Sequence, residues 1–464
     1  MPHPIIENVL ITALAAEGKA MAQVAGKVLF VPHAVPGDVV HVQITKKRRA
    51  FMEGRIAALV APSPDRVPAC CPHYGTCGGC CLQTAPYPMQ LACKQQQVID
   101  QLTRIGKLAL PPVQPIIGSE KTTCYRNKLE FTFSSNRWLS DEEIRHGGDA
   151  LDRRALGFHI PGLFDKVLDV DACCLQADPS NAIRQTVKQW AIDHDAPFYD
   201  LRAHTGWLRN LIIRNTTTGQ WMAILVLAYE QAALREALLR HLEKTVPQIT
   251  ALHYVINNKY NDSIADLPVY RFAGHEYMEE EMDGLHFRIS PKSFYQTNAP
   301  QALRLYTVVR RMAQLSGNEH VFDLYTGAGT IALFLARQAR RVTGIEYVAD
   351  AVEDAKRNAL HNHIDNATFL AGDMKDLLTE AFVARHGAPD VVVLDPPRAG
   401  VHPDVAQALL RIAAPRLIYV SCNPATQARD LAALSPLYAI ARVQPLDLFP
   451  HTQHVENVVL CEKK

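Results

Sequence analysis

Cys422 stands in Ile418-Tyr419-Val420-Ser421-Cys422-Asn423-Pro424, where a short apolar run delivers a thiol to an abrupt Asn-Pro turn. A thiolate at a strand end is a nucleophile for covalent catalysis. Glu456 closes Asp447-Leu-Phe-Pro450-His-Thr452-Gln-His454-Val-Glu456 and offers a carboxylate base. His451 and His454 are the other titratable groups there and read as orienting or structural. A second thiol group is Cys71-Pro-His-Tyr-Gly-Thr-Cys77-Gly-Gly-Cys80, whose two adjacent glycines let the backbone fold tightly between thiolates, as a soft metal centre requires. No second short-spaced cysteine pair follows for zinc. The spacing therefore favours a [4Fe-4S] cluster while leaving zinc open. A fourth ligand comes best from Asp169-Val-Asp-Ala-Cys173-Cys174, and spacing does not choose between the two thiols.

The elements that must hold Cys422 and Glu456 lie in the last third of the chain. Val321-Phe-Asp323-Leu-Tyr325-Thr-Gly327-Ala-Gly329-Thr330 reads as a strand, a glycine turn and a helix from about Thr330. Strand 341–346 ends in Glu346, helix 349–362 follows, and strand 367–371 leads to Gly372-Asp373. Strand 391–395 runs into Asp395-Pro-Pro-Arg398, helix 403–413 precedes strand 416–421, and a last strand begins at Asn457. This alternation predicts a largely parallel, Rossmann-like sheet. The loop lacks the third glycine of a dinucleotide site. Glu346 and Asp373 suit a ligand with a ribose diol and an adenine amine but no phosphate, namely S-adenosylmethionine.

Asp395-Pro-Pro-Arg398 occupies the place where a class I methyltransferase holds its target base. Arg398 offers no aromatic ring to stack on an amino-bearing base, which turns the reading from amine to carbon methylation. Carbon 5 of uracil is too poor a nucleophile to attack a sulfonium methyl unaided. A thiolate adding to carbon 6 activates it, and a base must later remove the carbon 5 proton.

Of the 464 residues, 48% are hydrophobic and 20% charged, enough for several folded domains. A net charge of +1 gives no global sign of nucleic acid, but Lys46-Lys47-Arg48-Arg49 and residues 94–128, with six Lys/Arg against two Asp/Glu, are locally basic. Short strands between residues 5 and 60, separated by turns at Glu17-Gly18, Ala25-Gly26 and Pro36-Gly37-Asp38, predict a small OB-like barrel. Their pattern resembles a TRAM domain, and the basic tetrad falls in its hairpin. Pro62, Pro64 and Pro68 mark a linker, residues 87–105 a helix, and strands with one or two helices a mixed α+β middle domain. No signal-peptide layout and no run near the ~18 apolar residues of a membrane span are present. A cytoplasmic, monomeric protein is expected, without membrane contact, and its eleven cysteines then point to metal or catalytic chemistry.

Taken together, Tyr125-Arg-Asn-Lys128, Phe294-Tyr-Gln296-Thr-Asn298, Asp323-Leu-Tyr-x-Gly-x-Gly329, Asp395-Pro-Pro-Arg398, Ser421-Cys-Asn-Pro424 and Phe449-Pro-x-Thr-x-His-Val-Glu456 resemble the RNA 5-methyluridine methyltransferase family. The resemblance implies Cys422 as nucleophile and Glu456 as base. It implies Gln296, Tyr325, Thr330, Glu346, Asp373 and Asp395 as contacts to S-adenosylmethionine, and Cys71, Cys77, Cys80 and Cys173 as [4Fe-4S] ligands. Thr326 departs from the family's usual Cys. A TRAM barrel together with a cluster is similar to the branch acting on 23S rRNA uridines; a tRNA uridine, or two rRNA uridines, is the alternative. The expected domains are 1–61 (barrel), 62–83 with 117–290 (middle domain and cluster), and 84–116 with 291–464 (methyltransferase).

Overall fold

The computed structural model describes residues 4–464, apart from the side chain of Asp149. The chain divides into two compact units, one holding residues up to Ala69 with Cys80–Thr122 and Pro300–Lys464, the other Cys70–Gly79 with Thr123–Ala299. Among the described residues no helix is long and apolar enough to cross a membrane.

In the first unit the N-terminal sheet has six strands, in the order Ile5–Leu10, Val39–Lys47, Phe51–Ala61, Lys27–Pro32, Lys19–Val24, Ala13–Leu14. Its two outermost strands are separated in sequence by Ile11 and Thr12 alone. Opposite edges of the sheet must therefore lie close together, so it curls into a barrel. Register shifts between Val39–Lys47 and Phe51–Ala61 help that curvature. Alternating Ala20, Ala22, Leu29, Val31, Val40 and Val42 fill its interior. Lys46–Arg49 sit exposed at the hairpin joining the two longest strands.

The first unit's second sheet has seven strands in the order Ala367–Ala371, Arg341–Glu346, His320–Leu324, Val391–Leu394, Arg416–Ser421, Glu456–Lys463, Tyr438–Leu446. The first five are mutually parallel and Glu456–Lys463 is antiparallel to both of its neighbours. The central parallel strands are nearly continuous buried runs because helices cover both faces; Val391–Leu394 is buried at every position. Helix Tyr87–Arg104 joins this core through Val98 and Leu102, beside Leu431, Leu434 and Val443. Elements absent from the sequence reading complete it, among them helix Pro424–Leu434 and edge strand Tyr438–Leu446.

The second unit is built on a seven-stranded sheet, Tyr270–Gly274, Ala251–Ile256, Trp221–Leu227, Leu208–Asn215, Lys128–Ser134, Ala155–Ile160, Leu163–Asp169. Helices Ser180–Asp193 and Ala232–Thr245 pack on it through Ile183, Val187, Trp190, Leu238, Leu239 and Leu242.

Candidate active site

In the methyltransferase-like sheet the strand order reverses between His320–Leu324 and Val391–Leu394, so ligands are expected at the carboxyl ends of these strands. Tyr325 and Asp395 follow directly, Glu346 ends the adjacent strand, and Asp373 follows the one beyond. Tyr325 takes a left-handed φ of 65°, as do Gly327 and Gly329 at 55° and 80°, which turns the backbone sharply into helix Thr330–Ala336. A Cβ on Gly327 would meet nothing within 4 Å, whereas one on Gly329 would press on Ala355 and Phe369 at 3.0–3.1 Å. The first glycine thus faces open space for a ligand and the second allows close packing.

Glu346 accepts from the Gly327 and Val348 amides at 3.1 and 3.0 Å. Asp373 caps helix Met374–Leu377 through the Lys375 amide, and that bond lowers its pKa. Thr330 shares a 3.2 Å hydrogen bond with the buried Tyr306 hydroxyl. Gln296 belongs to the second unit, where Asn127 Nδ2 donates to its carbonyl at 2.8 Å and the Asn127 amide to Thr297 O at 2.8 Å. Arg214, also buried, donates to the carbonyl of Ser290 at 2.8 Å, steadying the same segment.

Burial dominates the electrostatics. It pushes the carboxyls of Asp323 and Asp395 up to about 7. Glu456 rises to about 8, first through burial and then through the charge of Asp395, with Arg398 opposing. Thr326, in the position of the family's usual Cys, donates from its hydroxyl to Asp323 Oδ2 at 2.5 Å. Asp323 Oδ1 is buried and takes no hydrogen bond among the described residues. A set of buried acids with an orphaned acceptor favours a cationic ligand. S-adenosylmethionine, carrying a sulfonium and an ammonium, fits that demand.

Cys422 follows strand Arg416–Ser421 at once, half-buried. Burial pushes its thiol up to about 11; the Glu456 charge adds to this, while the Arg398 charge and side-chain hydrogen bond oppose it. Arg398 therefore lowers both Cys422 and Glu456 against the effect of burial. Its guanidinium also approaches His454 Nε2 at 3.4 Å. Its carbonyl accepts from Asn423 Nδ2 and Thr426 Oγ1, both at 3.2 Å. Asn423 meanwhile caps helix Pro424–Leu434 through the Ala425 amide. Gln427 Nε2 donates to Tyr419 O at 2.9 Å and to Asn457 O at 3.2 Å, and Asn457 Nδ2 returns a bond to Gln427 Oε1 at 2.7 Å. In the sequence Arg398 is only the absence of an aromatic ring; its influence on Cys422 and Glu456 emerges from the fold. An Asn at a strand-to-helix turn before Pro was the available signal for the cap.

Cys71, Cys77 and Cys173 lie in the second unit and Cys80 in the first. Among the described residues no three His, Cys, Asp or Glu side chains form a metal-holding group. The thiols instead bond to one another: Cys70 Sγ and Cys174 Sγ are 2.7 Å apart, and a hydrogen bond from Cys174 leads the causes that lower Cys71. Cys174 is thus a bonded neighbour of Cys71, and the Cys71 charge also reaches Cys173. Cys173 is pushed up to about 11, first by burial and further by the charges of Cys77 and Cys71. Within the second unit the donor chemistry suits a thiolate-held centre; Cys80 belongs to the first unit.

Residues 272–464 match the model of the family described as tRNA (Uracil-5-)-methyltransferase, and residues 6–57 match the TRAM domain. A Bacteroides thetaiotaomicron protein described as an uncharacterized RNA methyltransferase is 54% identical over 452 residues, covering 97% of this chain and 100% of that one. The chain belongs to the RNA uracil-5-methyltransferase family. A Porphyromonas gingivalis relative with the same description is 53% identical over 457 residues, 97% of this chain and 98% of that one. Among solved structures, the Pyrococcus abyssi tRNA (uracil-54, C5)-methyltransferase in complex with S-adenosyl-L-homocysteine superposes with a TM-score of 0.75 at 26% identity, covering 98% of this chain and 100% of that one. At the level of the uracil-5-methyltransferase family, the activity is S-adenosylmethionine-dependent methylation of carbon 5 of uracil in RNA.

Proposed function

We propose that this chain methylates carbon 5 of a uridine in 23S rRNA through a covalent bond between Cys422 and the uracil ring. The observation that carries the reading is the adjacency of Cys422 and Glu456 at the ends of paired strands, with Arg398 acting on both. The target base must leave its stack to reach them. Cys422, as thiolate, bonds to carbon 6, and the carbon 5–carbon 6 electron pair moves toward the carbon 4 carbonyl as an enolate. Carbon 5 of the enolate takes the electrophilic methyl group that S-adenosylmethionine, when bound, supplies, the sulfur–methyl bond breaking so that neutral S-adenosylhomocysteine leaves. Glu456 then removes the carbon 5 proton, the double bond re-forms, and the sulfur–carbon 6 bond breaks to return the thiolate. Glu346 and Asp373 would hold the ribose diol and adenine amine of the cofactor, with Gln296, Tyr325, Thr330 and Asp395 as its further contacts.

Cys71, Cys77, Cys80 and Cys173 would hold a [4Fe-4S] cluster with a structural role, because no step of the reaction transfers an electron. Support for it is the thiol-rich neighbourhood and the family resemblance. The exposed Lys46–Arg49 hairpin would contact RNA phosphates, which position rather than specify.

A tRNA uridine is the second reading, favoured by the Pyrococcus abyssi likeness. Mapping 5-methyluridine in RNA from a strain lacking the chain separates the two. Loss at a 23S position, restored by the intact chain and not by Cys422→Ala, supports the first; loss confined to tRNA overturns it.

A further inference from the structure

Helix Tyr87–Arg104 carries polar side chains where a core-facing helix should be apolar. Tyr87, Gln90 and Lys94 are spaced i, i+3, i+7 and so share one face. Gln90 is 0% and Lys94 1% exposed. Every one of them grips the loop between strand Tyr438–Leu446 and Glu456. Lys94 Nζ donates to Asp447 Oδ1 at 2.7 Å and to Phe449 O at 3.0 Å. The Tyr87 hydroxyl donates to Asp447 Oδ2 at 2.9 Å. The His451 amide donates to Gln90 Oε1 at 2.9 Å, and Gln90 Nε2 lies 3.2 Å from His451 Nδ1.

The loop is braced internally as well. The Phe449 amide donates to Asp447 Oδ1 at 3.0 Å, Thr452 Oγ1 donates to Phe449 O at 2.8 Å, and the His454 amide donates to Thr452 Oγ1 at 3.2 Å. Gln301 Nε2 donates to Asp447 O at 2.9 Å. A buried ion pair is a poor device for stability, since hydrophobic replacements of similar volume serve at least as well. It is a good device for geometry, because a charge pair in low dielectric tolerates few alternative arrangements.

We propose that Tyr87, Gln90 and Lys94 are positioning residues that hold the Asp447–Val455 loop so that Glu456 meets the carbon 5 proton after methyl transfer. The inference rests on the reading of Glu456 as the base. It predicts a step-specific defect: disturbing the stripe slows release of methylated product while leaving thiolate addition and methyl transfer intact. The enzyme then accumulates as a methylated covalent adduct.

The test uses the full chain, cofactor with a tritiated methyl group, and total RNA from a strain lacking the chain. Lys94→Met with Asp447→Asn neutralises both partners and avoids a buried unpaired charge; Tyr87→Phe is the milder variant should the double one not fold. The expected result is a fall in kcat, on the order of a hundred-fold for a misplacement of ~1 Å, with KM for RNA falling alongside it and kcat/KM little changed. Tritium is retained in a denaturation-resistant protein–RNA band. A folded variant that turns over normally, or that loses adduct formation and turnover alike, overturns the proposal. Glu456→Gln is run in parallel. If it too fails to accumulate the adduct, the base assignment is what has failed; if it accumulates adduct while the helix variants do not, the positioning role alone is refuted.

Discussion

Ser421 and Asn457 are register partners across the antiparallel junction of strands Arg416–Ser421 and Glu456–Lys463. One residue further along each strand toward the site are Cys422 and Glu456, so the proposed nucleophile and base, 34 positions apart in sequence, become neighbours through a single strand pairing. The antiparallel last strand makes this possible: it brings an amino-terminal strand end to the carboxyl edge of its parallel neighbours.

The expected pH dependence follows from Glu456 and Cys422, both of which act as anions in the proposed mechanism and both of which burial holds up, to about 8 and about 11. Below about 8 Glu456 is protonated and cannot accept a proton, so kcat, which includes proton removal, should rise with pH through that value. Arg398 lowers both groups, hence Arg398→Ala should move the rise to higher pH. Glu456→Gln should abolish the limb near 8. A pH–rate profile that is flat from 6 to 9 (about three decades of proton activity) would count against these roles.

The same carboxyl makes a linkage prediction. Its folded pKa lies above the ordinary 4.5, so the folded state binds the proton more tightly and stability is lost as pH rises from 4.5 to about 8. Glu456→Gln removes that loss. The variant should gain on the order of a few kcal/mol over the parent at pH 8 and little at pH 4, read by denaturant melts.

Gly400 has φ of 81°, and a Cβ there would fall 2.3 Å from Asp430 Oδ2. That oxygen accepts from the Val401 amide at 2.8 Å and from the Tyr419 hydroxyl at 2.7 Å, tying the Arg398 loop to the strand before Cys422. Gly400→Ala should cost about 1–3 kcal/mol of stability. It should also slow methylation by displacing Arg398, as thermal melts and single-turnover rates will show.

How much of this was legible in the sequence varied with the physics of each element. Continuous apolar runs such as Val391–Leu394 and Arg416–Ser421 were readable because a parallel strand is buried on both faces. Strand Tyr438–Leu446 was not, since it is an edge strand with an irregular burial pattern and carries Pro445. Helix Pro424–Leu434 was hidden because its buried face includes Gln427 and Asp430, polar groups whose partners lie far away in sequence. Lys94 falls in a basic stretch, where periodicity could not reveal its burial against Asp447. For the thiols near residue 71 spacing could not choose between Cys173 and Cys174, because both adjacent side chains lie within reach of Cys71.

Charge on the barrel has its own prediction. Neutralising Lys46, Lys47, Arg48 and Arg49 should weaken RNA binding for all sequences alike. On single-stranded RNA, the slope of log affinity against log salt should become shallower by about 0.7 for each phosphate these four cations no longer neutralise. Filter binding over a range of salt concentrations measures it.

For the thiol-rich segment, Cys71→Ser should lower bound iron and sulfide and reduce folding or RNA affinity. Chemical reduction of the intact protein should leave the methylation rate unchanged. Iron and sulfide analysis of anaerobically purified protein checks the first, and timed methyl transfer with and without dithionite the second.

The most direct test of the covalent mechanism is trapping with RNA containing 5-fluorouridine, because carbon 5 then carries a fluorine that Glu456 cannot remove as a proton. In the presence of S-adenosylmethionine the protein should migrate as a denaturation-resistant RNA adduct whose crosslinked peptide contains Cys422, and Cys422→Ala should form none. An adduct mapped to any other residue, or methylated uridine produced by Cys422→Ala, would contradict it.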